Sequence, residues 1–104
     1  MLDVTALSTY TRRADKMLTP DEQADVDFYL ATNPKAGTVI SGTGGWRKVR
    51  IARRGEGKSG GYRIVYILRL PTRVVLGAIY AKNERANISA TDKAKLKQLA
   101  EALE

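Results

Sequence analysis

Residues 62–82 read YRIVYILRLPTRVVLGAIYAK, and this stretch decides the fold. β-branched and aromatic side chains fill 62–70 and recur through 73–82, a composition that predicts two β-strands. The short connection at Pro71 predicts a hairpin between them, because a proline cannot donate to a central ladder and therefore marks a break. The centre of the fold is thus predicted to be an antiparallel pair of strands.

A third strand is predicted directly before this hairpin, over about 46–53, where Val49 and Ile51 alternate with charged residues. Because successive side chains of a strand point to opposite faces, Val49 and Ile51 are expected to share one face of the sheet. Lys48 and Arg50 are then expected together on the other face. The strand therefore offers two cations on a single surface.

Helix-start signals lie on either side of the strands. The segment 19–22, TPDE, has Thr at the N-cap, Pro at N1 and Glu at N3, a capping box that predicts a helix to about residue 32. The segment 89–92, SATD, predicts the start of a last helix. The apolar stripe of the first of these helices is predicted to consist of Ala24, Phe28, Leu30 and Ala31. That of the last is predicted to consist of Leu96, Leu99, Ala100 and Leu103.

Two other stretches are less regular. Residues 8–18 are compatible with a further helix, after a short strand that Leu2 and Val4 could begin. Residues 36–45, AGTVISGTGG, predict a loop. The order of helices, three adjacent strands and a helix predicts an α+β fold, with the helices packed on one face of a small antiparallel sheet. At 104 residues the chain is expected to form a single domain, residues 1–104.

Composition excludes several kinds of chemistry. The chain has no cysteine and no histidine, so it can hold neither a disulfide, nor a thiolate metal site, nor a Ser-His-Asp triad. We therefore predict no metal site and no cofactor. No apolar run approaches the roughly 20 residues of a membrane span, and the N-terminus, MLDVTALSTY, lacks the basic flank of a signal peptide. The sequence thus predicts a cytoplasmic protein that does not enter membranes.

Positive charge is concentrated between Arg47 and Arg63. This segment holds seven basic residues and one acid, Glu56, and so carries +6 of the formal net charge of +7. The seven are Arg47, Lys48, Arg50, Arg53, Arg54, Lys58 and Arg63. A focused positive charge beside the glycine-rich stretch 54–61 predicts a polyanionic partner, most simply nucleic acid.

Each basic feature also has a purely structural interpretation. Lys48 and Arg50 can grip phosphates, or they can keep an exposed edge strand soluble. The segment 54–61, RGEGKSGG, can bring backbone N–H groups and Lys58 to a phosphate, or it can be a flexible hairpin connection. Arg63 is either half-buried in an ion pair or directed into a cleft.

Tyr80 also carries two interpretations, whereas Trp46 and the pair Arg12 and Arg13 each have a structural one. Tyr80 and Lys82 share a face by period two, so that Tyr80 could stack on a base beside a phosphate-binding lysine, or could belong to the core. Trp46 is interpreted as a packing anchor. Arg12 and Arg13 are interpreted as part of an exposed helix face.

Four blocks of the chain resemble a known family. They are NPKAG (33–37), GTGGWRKVR (42–50), GKSGGYRIVY (57–66) and IYAKNERANIS (79–89). Over about residues 19–104 the chain resembles type II toxins of the RelE/ParE superfamily, in the HigB-like branch. The resemblance implies a RelE-like fold and a ribosome-dependent mRNA endoribonuclease that inhibits translation through a basic, metal-free face. In that reaction the 2′-hydroxyl of the mRNA attacks the adjacent phosphate.

The resemblance also implies residue roles. The catalytic residues are expected to be Lys48, Arg50, Arg63 and Lys82. Further RNA-binding residues are expected to be Arg47, Arg53, Arg54, Lys58, Tyr80 and Asn83. Arg63 would stabilise charge on the cleaved phosphate, and Lys48 is a better candidate base than Arg50, since arginine does not deprotonate in proteins. The chain departs from its relatives at Ile88, where a tyrosine is expected, and at Asn83, where some have arginine.

The expected partners follow from the same resemblance. They are the ribosome, its mRNA and a cognate antitoxin, which we expect to be acidic and DNA-binding. Two other functions stay open at this point: a toxin of the same fold that binds DNA gyrase, as ParE-like members do, and a non-catalytic nucleic-acid-binding module.

Overall fold

The computed structural model describes residues 2–52, 61–69, 72–81 and 88–103. Within these ranges lie three helices and five strands, in the order β1 (Asp3–Ala6), α1 (Ser8–Met17), α2 (Pro20–Thr32), β2 (Thr38–Val39), β3 (Trp46–Ile51), β4 (Tyr62–Arg69), β5 (Arg73–Ala81) and α3 (Ala90–Ala102). The predicted α+β class is confirmed. None of the described helices has the length and apolar character that crossing a membrane requires.

The sheet is built around the predicted hairpin. Its strand order is β1-β5-β4-β3-β2. β4 and β5 pair antiparallel from Arg69 opposite Arg73 to Tyr62 opposite Ala81, which confirms the hairpin. β3 pairs antiparallel with β4, and β2 with β3, whereas β1 pairs parallel with β5. The sheet is therefore antiparallel except at the β1 edge.

One of the two edge strands goes beyond the sequence prediction. The segment 36–45 is not an unbroken loop, because Thr38 and Val39 form β2. A two-residue strand leaves no period in the sequence, so only its pairing with β3 reveals it. At the other edge β1 forms near the N-terminus, where the sequence was compatible with a short strand but did not require one.

Helices cover both faces of the sheet. α1 and α2 pack on one face, in a cluster with Tyr10, Val26, Leu30, Ile64, Tyr66 and Leu76. α3 packs on the opposite face, in a cluster with Trp46, Val65, Ile67, Val75 and Ala100. The N-terminal helices α1 and α2 therefore share one face, as predicted, whereas the C-terminal helix α3 does not join them there, and in this respect the expectation of helices on a single face is wrong. β4 reads as a continuous apolar run and not an alternating one, and such a strand is stable only where both of its faces are covered.

The start of α2 is as predicted, but its buried face is so only in part: Leu30 and Ala31 are buried as predicted, whereas Ala24 and Phe28 are exposed. Thr19 Oγ1 accepts the Glu22 backbone N–H at 3.1 Å, and a Glu22 carboxylate oxygen accepts the Thr19 N–H at 2.9 Å. The helix buries Val26 and Leu30, one turn apart, whereas Phe28 is 61% exposed. Placing Phe28 in the core was wrong, because the face of α2 that meets the sheet is centred on those two smaller aliphatic side chains.

Trp46 attaches α3 to the sheet. Its indole N–H donates to the Leu96 carbonyl at 2.7 Å, and its side chain is fully buried, which confirms its interpretation as a packing anchor. The ring lies directly on Gly77, where an added Cβ would stand 2.5 Å from Cζ3 of the tryptophan. One turn further along the helix, Arg69 Nη2 donates to the Ala100 carbonyl at 2.8 Å. Leu99, predicted to be buried, is 41% exposed, since α3 packs through Ala100 and its neighbours.

Gly77 also lies at an irregularity of the sheet. Val65 is opposite Ala78, but Tyr66 is opposite Leu76, so Gly77 is an extra residue on β5. A bulge of this kind shifts the alternation of side chains by one residue. Ala78 and Tyr80 consequently contact the α3-side cluster, while Leu76 contacts the cluster of α1 and α2.

We expect Gly77→Ala to lower the free energy of unfolding by about 1–3 kcal/mol, the usual cost of overpacking a filled core. The new methyl group would meet the six-membered ring of Trp46. Urea unfolding checks this. In a Trp46→Leu background the clashing ring atoms are gone, so the cost of Gly77→Ala should shrink. An equal cost in both backgrounds would contradict the contact.

Tyr10 has a buried hydroxyl that receives no hydrogen bond from any described residue. Burial raises the pKa of Tyr10 well above its ordinary value of 10.0, and the nearby Asp27 and Tyr62 act in the same direction. The folded protein therefore keeps this proton at a pH at which the unfolded chain releases it. The resulting contribution to stability is complete below about pH 10 and is lost as the pH rises towards the folded-state pKa.

We expect Tyr10→Phe to raise the free energy of unfolding at pH 7 by about 0.5–1 kcal/mol, since it removes an unsatisfied buried hydroxyl. Between pH 9 and about pH 11 the variant should also lose stability less steeply than the parent protein. Urea unfolding at a series of pH values measures both effects. Tyr29→Phe, at a 41% exposed position, is the matched control and should alter neither. A steeper alkaline loss in Tyr10→Phe would refute this account.

Candidate functional site

Three of the predicted cations lie on one face of the sheet. Lys48 and Arg50 are two residues apart on β3, and Arg63 on β4 is directly opposite Arg50. Paired residues of antiparallel strands point to the same side, so the three side chains are neighbours. Lys48 and Arg50 are exposed and Arg63 is half-buried. We call this surface, formed by Lys48, Arg50 and Arg63, the basic face.

The basic face lines an open cleft of about 240 Å³, which we call the first cleft. Its described lining residues are Thr38, Lys48, Val49, Arg50 and Arg63. Every charged residue in that set is a cation. The first cleft therefore concentrates positive potential in a concave surface, which attracts an anionic ligand.

Tyr80 extends the basic face onto β5. It is directly opposite Arg63 and is half-buried. The bulge at Gly77 is the reason for this orientation, because simple alternation from Val75 would direct Tyr80 to the cluster of α1 and α2. An aromatic ring beside cations is an arrangement that can stack on a nucleobase.

A second cleft, of about 330 Å³, adjoins the first. The two share Thr38 and Lys48 as lining residues. The other described residues of the second cleft are Val39, Ile40, Ser41, Ile88 and Lys93. Sequence reasoning missed Thr38, Ser41 and Lys93. No local signal could have found Lys93, because only the packing of α3 on the sheet brings it near Lys48.

Arg47 lies on the opposite side of the sheet from Lys48. Its Nη1 donates to the Gly37 carbonyl at 2.7 Å. The Tyr66 hydroxyl accepts the Gly37 N–H at 2.8 Å and donates to the Pro34 carbonyl at 2.8 Å. Residue 37 has no room for a side chain, since an added Cβ would stand 2.8 Å from the Lys48 carbonyl oxygen. These contacts attach the NPKAG block to the sheet, and they give Arg47 a structural contact that the sequence did not predict.

Other predicted site residues lie outside the described part of the chain. They are Arg53, Arg54, Lys58, Lys82 and Asn83. The glycine-rich stretch 54–61 lies there too, apart from Gly61. Ile88, where the resemblance implied a tyrosine, is half-buried and lines the second cleft.

The fold and the basic face define a class of protein: a small, basic α+β chain with an open cationic cleft suited to a polyanion. The family model described as the RelE toxin of the RelE / RelB toxin-antitoxin system matches residues 12–104. The chain therefore belongs to the RelE toxin family, within the RelE/ParE superfamily of type II toxins. It is a toxin of a toxin–antitoxin system, and this membership implies an antitoxin partner of the RelB type.

Arg47 and Lys48 form a matched pair of neighbouring cations with different surroundings. We expect Arg47→Ala to lower the free energy of unfolding by about 1.5–3 kcal/mol, because it removes a charged donor from the Gly37 carbonyl. Lys48→Ala, at an exposed position, should change it by less than about 0.5 kcal/mol. Both variants lose one positive charge, so urea unfolding compares the contacts alone. Equal stabilities would show that the Arg47 contact contributes nothing.

Proposed function

We propose that this protein is a ribosome-dependent mRNA endoribonuclease of the HigB-like branch, which inhibits translation in the cytoplasm. The observation that carries the proposal is the grouping of Lys48, Arg50 and Arg63 around one open cleft. Membership in the RelE toxin family supports it. A toxin that acts only by binding another protein needs no such convergence of cations.

The proposed reaction is cleavage within the mRNA strand. The 2′-oxygen loses its proton to a base and forms a bond to the adjacent phosphorus, while the bond from phosphorus to the 5′-oxygen breaks. The leaving 5′-oxygen takes up a proton. The products are a 2′,3′-cyclic phosphate and a 5′-hydroxyl. Negative charge accumulates on the phosphate oxygens in the transition state, where fixed cations stabilise it most.

The basic face offers residues for these steps. Lys48 is the candidate base, since an arginine does not deprotonate in proteins. Arg50 and Arg63 lie side by side, and a guanidinium presents its donors in a planar fork that suits the oxygens of a phosphate. Tyr80, next to Arg63, is placed to stack on a base beside the scissile phosphate. Lys82 keeps its expected role as a further catalytic cation on sequence grounds alone.

Dependence on the ribosome fits the openness of the first cleft. A reactive 2′-hydroxyl must lie in line with the leaving oxygen, and holding that geometry supplies much of the rate enhancement. Among the described residues, those around the cleft form a shallow wall and not an enclosed pocket. A partner that holds the mRNA in a fixed conformation would supply the missing order. Free RNA should consequently be cut slowly.

The antitoxin is proposed to neutralise the toxin through its charge. With a net charge of +7, the chain attracts an acidic partner over several ångströms. An acidic antitoxin could cover the basic face, or it could bind elsewhere and block entry to the ribosome. Electrostatic attraction of this kind accelerates association at low salt and weakens as salt is added.

We expect expression of the chain alone to arrest growth, and Arg63→Ala to relieve the arrest. Loss of one cation that stabilises the transition state typically lowers a rate by about 10²- to 10³-fold. Cleavage of mRNA in a reconstituted translation reaction measures the change directly. Arg12→Ala is the matched control, since Arg12 is exposed on α1, on the other side of the sheet, and carries the same charge.

Three outcomes would contradict the proposal. A folded Arg63→Ala variant that cuts mRNA at the parental rate would remove Arg63 from the mechanism. Efficient cutting of naked RNA would remove the dependence on the ribosome. Growth arrest with intact mRNA and with DNA gyrase trapped on broken DNA would indicate a gyrase-directed toxin instead.

A further inference from the structure

We propose that the second cleft is a subsite for a phosphate of the RNA strand that flanks the scissile one, with Lys93 as the residue that binds it. This inference rests on the proposed function for the identity of the ligand, single-stranded RNA. It assigns a binding role to an element, α3, that none of the predicted site residues occupies. The observations that carry it are the shared wall of the two clefts and the charge of their lining residues.

The two clefts form a continuous surface. Thr38 and Lys48 are paired in register on β2 and β3, so their side chains stand beside each other on one face, and both residues line both clefts. A strand that places one phosphate between Lys48 and Arg63 can therefore continue past Lys48 towards α3. The first phosphate lies in the first cleft, and its neighbour along the strand lies in the second.

The charge of the second cleft suits this neighbour. Lys48 and Lys93 are its charged residues among those described, and no described acid lines either cleft. Lys93 is half-buried near the start of α3, and Ser41 lines the same cleft. Asp92, the nearest acid along the chain, lies in the first turn of α3, where its backbone N–H donates to Ser89 Oγ at 3.1 Å. Two lysines that line the same cleft can both contact a phosphate bound in it.

The hydroxyl groups and the apolar residues complete the subsite. Thr38 and Ser41 can donate to phosphate or ribose oxygens. Val39, Ile40 and Ile88 supply apolar surface on which a sugar or a base can rest. A cleft of about 330 Å³ is large enough for one nucleotide of a single strand.

The test compares two lysines of the same helix. Lys93 lines the second cleft, whereas Lys95 is exposed and does not line either cleft. Binding of a short single-stranded RNA, with a 2′-deoxy linkage that prevents cleavage, is measured by fluorescence anisotropy over a range of salt concentrations. Lys93→Ala should weaken binding about three- to ten-fold at low salt. It should also reduce the slope of log affinity against log salt by about 0.7, the value for one lost phosphate contact on a single strand. Lys95→Ala should change neither quantity appreciably.

A second experiment identifies the group of the RNA that Lys93 contacts. Replacing the flanking phosphate with an uncharged methylphosphonate should weaken binding to the parent protein, and the same replacement should have little further effect on Lys93→Ala. In ribosome-dependent cleavage, Lys93→Ala should raise KM and leave kcat nearly unchanged, because a flanking contact is made equally in the ground state and the transition state. A lowered kcat with unchanged KM would instead make Lys93 part of the reaction centre and overturn the subsite.

The outcomes separate this inference from the proposed function. If the protein cuts mRNA but Lys93→Ala and Lys95→Ala bind RNA alike, the subsite is refuted and the endoribonuclease stands. If no mRNA is cut but Lys93→Ala alone weakens RNA binding and loses its response to the methylphosphonate, the subsite stands and the endoribonuclease is refuted. Circular dichroism should give the same helix content for both variants, since alanine is the best helix former.

Discussion

The packing of Trp46 on Gly77 is the contact on which the rest of the structure depends. The indole ring fills the space that a side chain at residue 77 would need, and its N–H group holds the Leu96 carbonyl of α3. The same glycine is the extra residue of the β5 bulge, after which Tyr80 faces α3 and not α1. The contact between Trp46 and Gly77 thus helps to set two positions. One is that of α3, which contributes to the second cleft, and the other is that of Tyr80, which extends the basic face.

The residues that stabilise β3 and the residues that form the candidate site lie on opposite faces of the sheet. On β3, Val49 and Ile51 pack against the cluster of α1 and α2, and this burial holds the strand in place. Lys48 and Arg50 alternate with these two residues and face the other way, so the strand keeps its position without contributions from the two cations. α3 covers the part of that second face around Trp46 and Ile67. The uncovered part is where the cations are exposed, and an open, well-supported surface of this kind suits a large ligand.

The sequence predicted elements whose signal is local. The capping box at 19–22, the hairpin of β4 and β5 and the alternation along β3 each depend on a few adjacent residues, and each is confirmed. The features that it missed depend on residues far apart in the chain. Phe28 was placed in the core because its hydrophobicity was visible, whereas the direction from which the sheet meets α2 was not. The side on which α3 packs, the pairing of β2 and the position of Lys93 are likewise set by tertiary contacts that overrule local preference.

The concentration of charge between residues 47 and 63 was the strongest functional signal in the sequence, yet charge density along a chain is not charge density at a site. Arg47 and Lys48 are neighbours in that run, but the pleat sends them to opposite faces, where Arg47 holds the Gly37 carbonyl and Lys48 lines both clefts. Lys93 comes from outside the run and joins Lys48 through the packing of α3. The positive potential at the clefts therefore depends on the topology. The alternation along β3 decides which of its cations face the clefts, and α3 adds Lys93 from a distant part of the sequence. A change in how α3 attaches at Trp46 would alter that potential without altering the net charge.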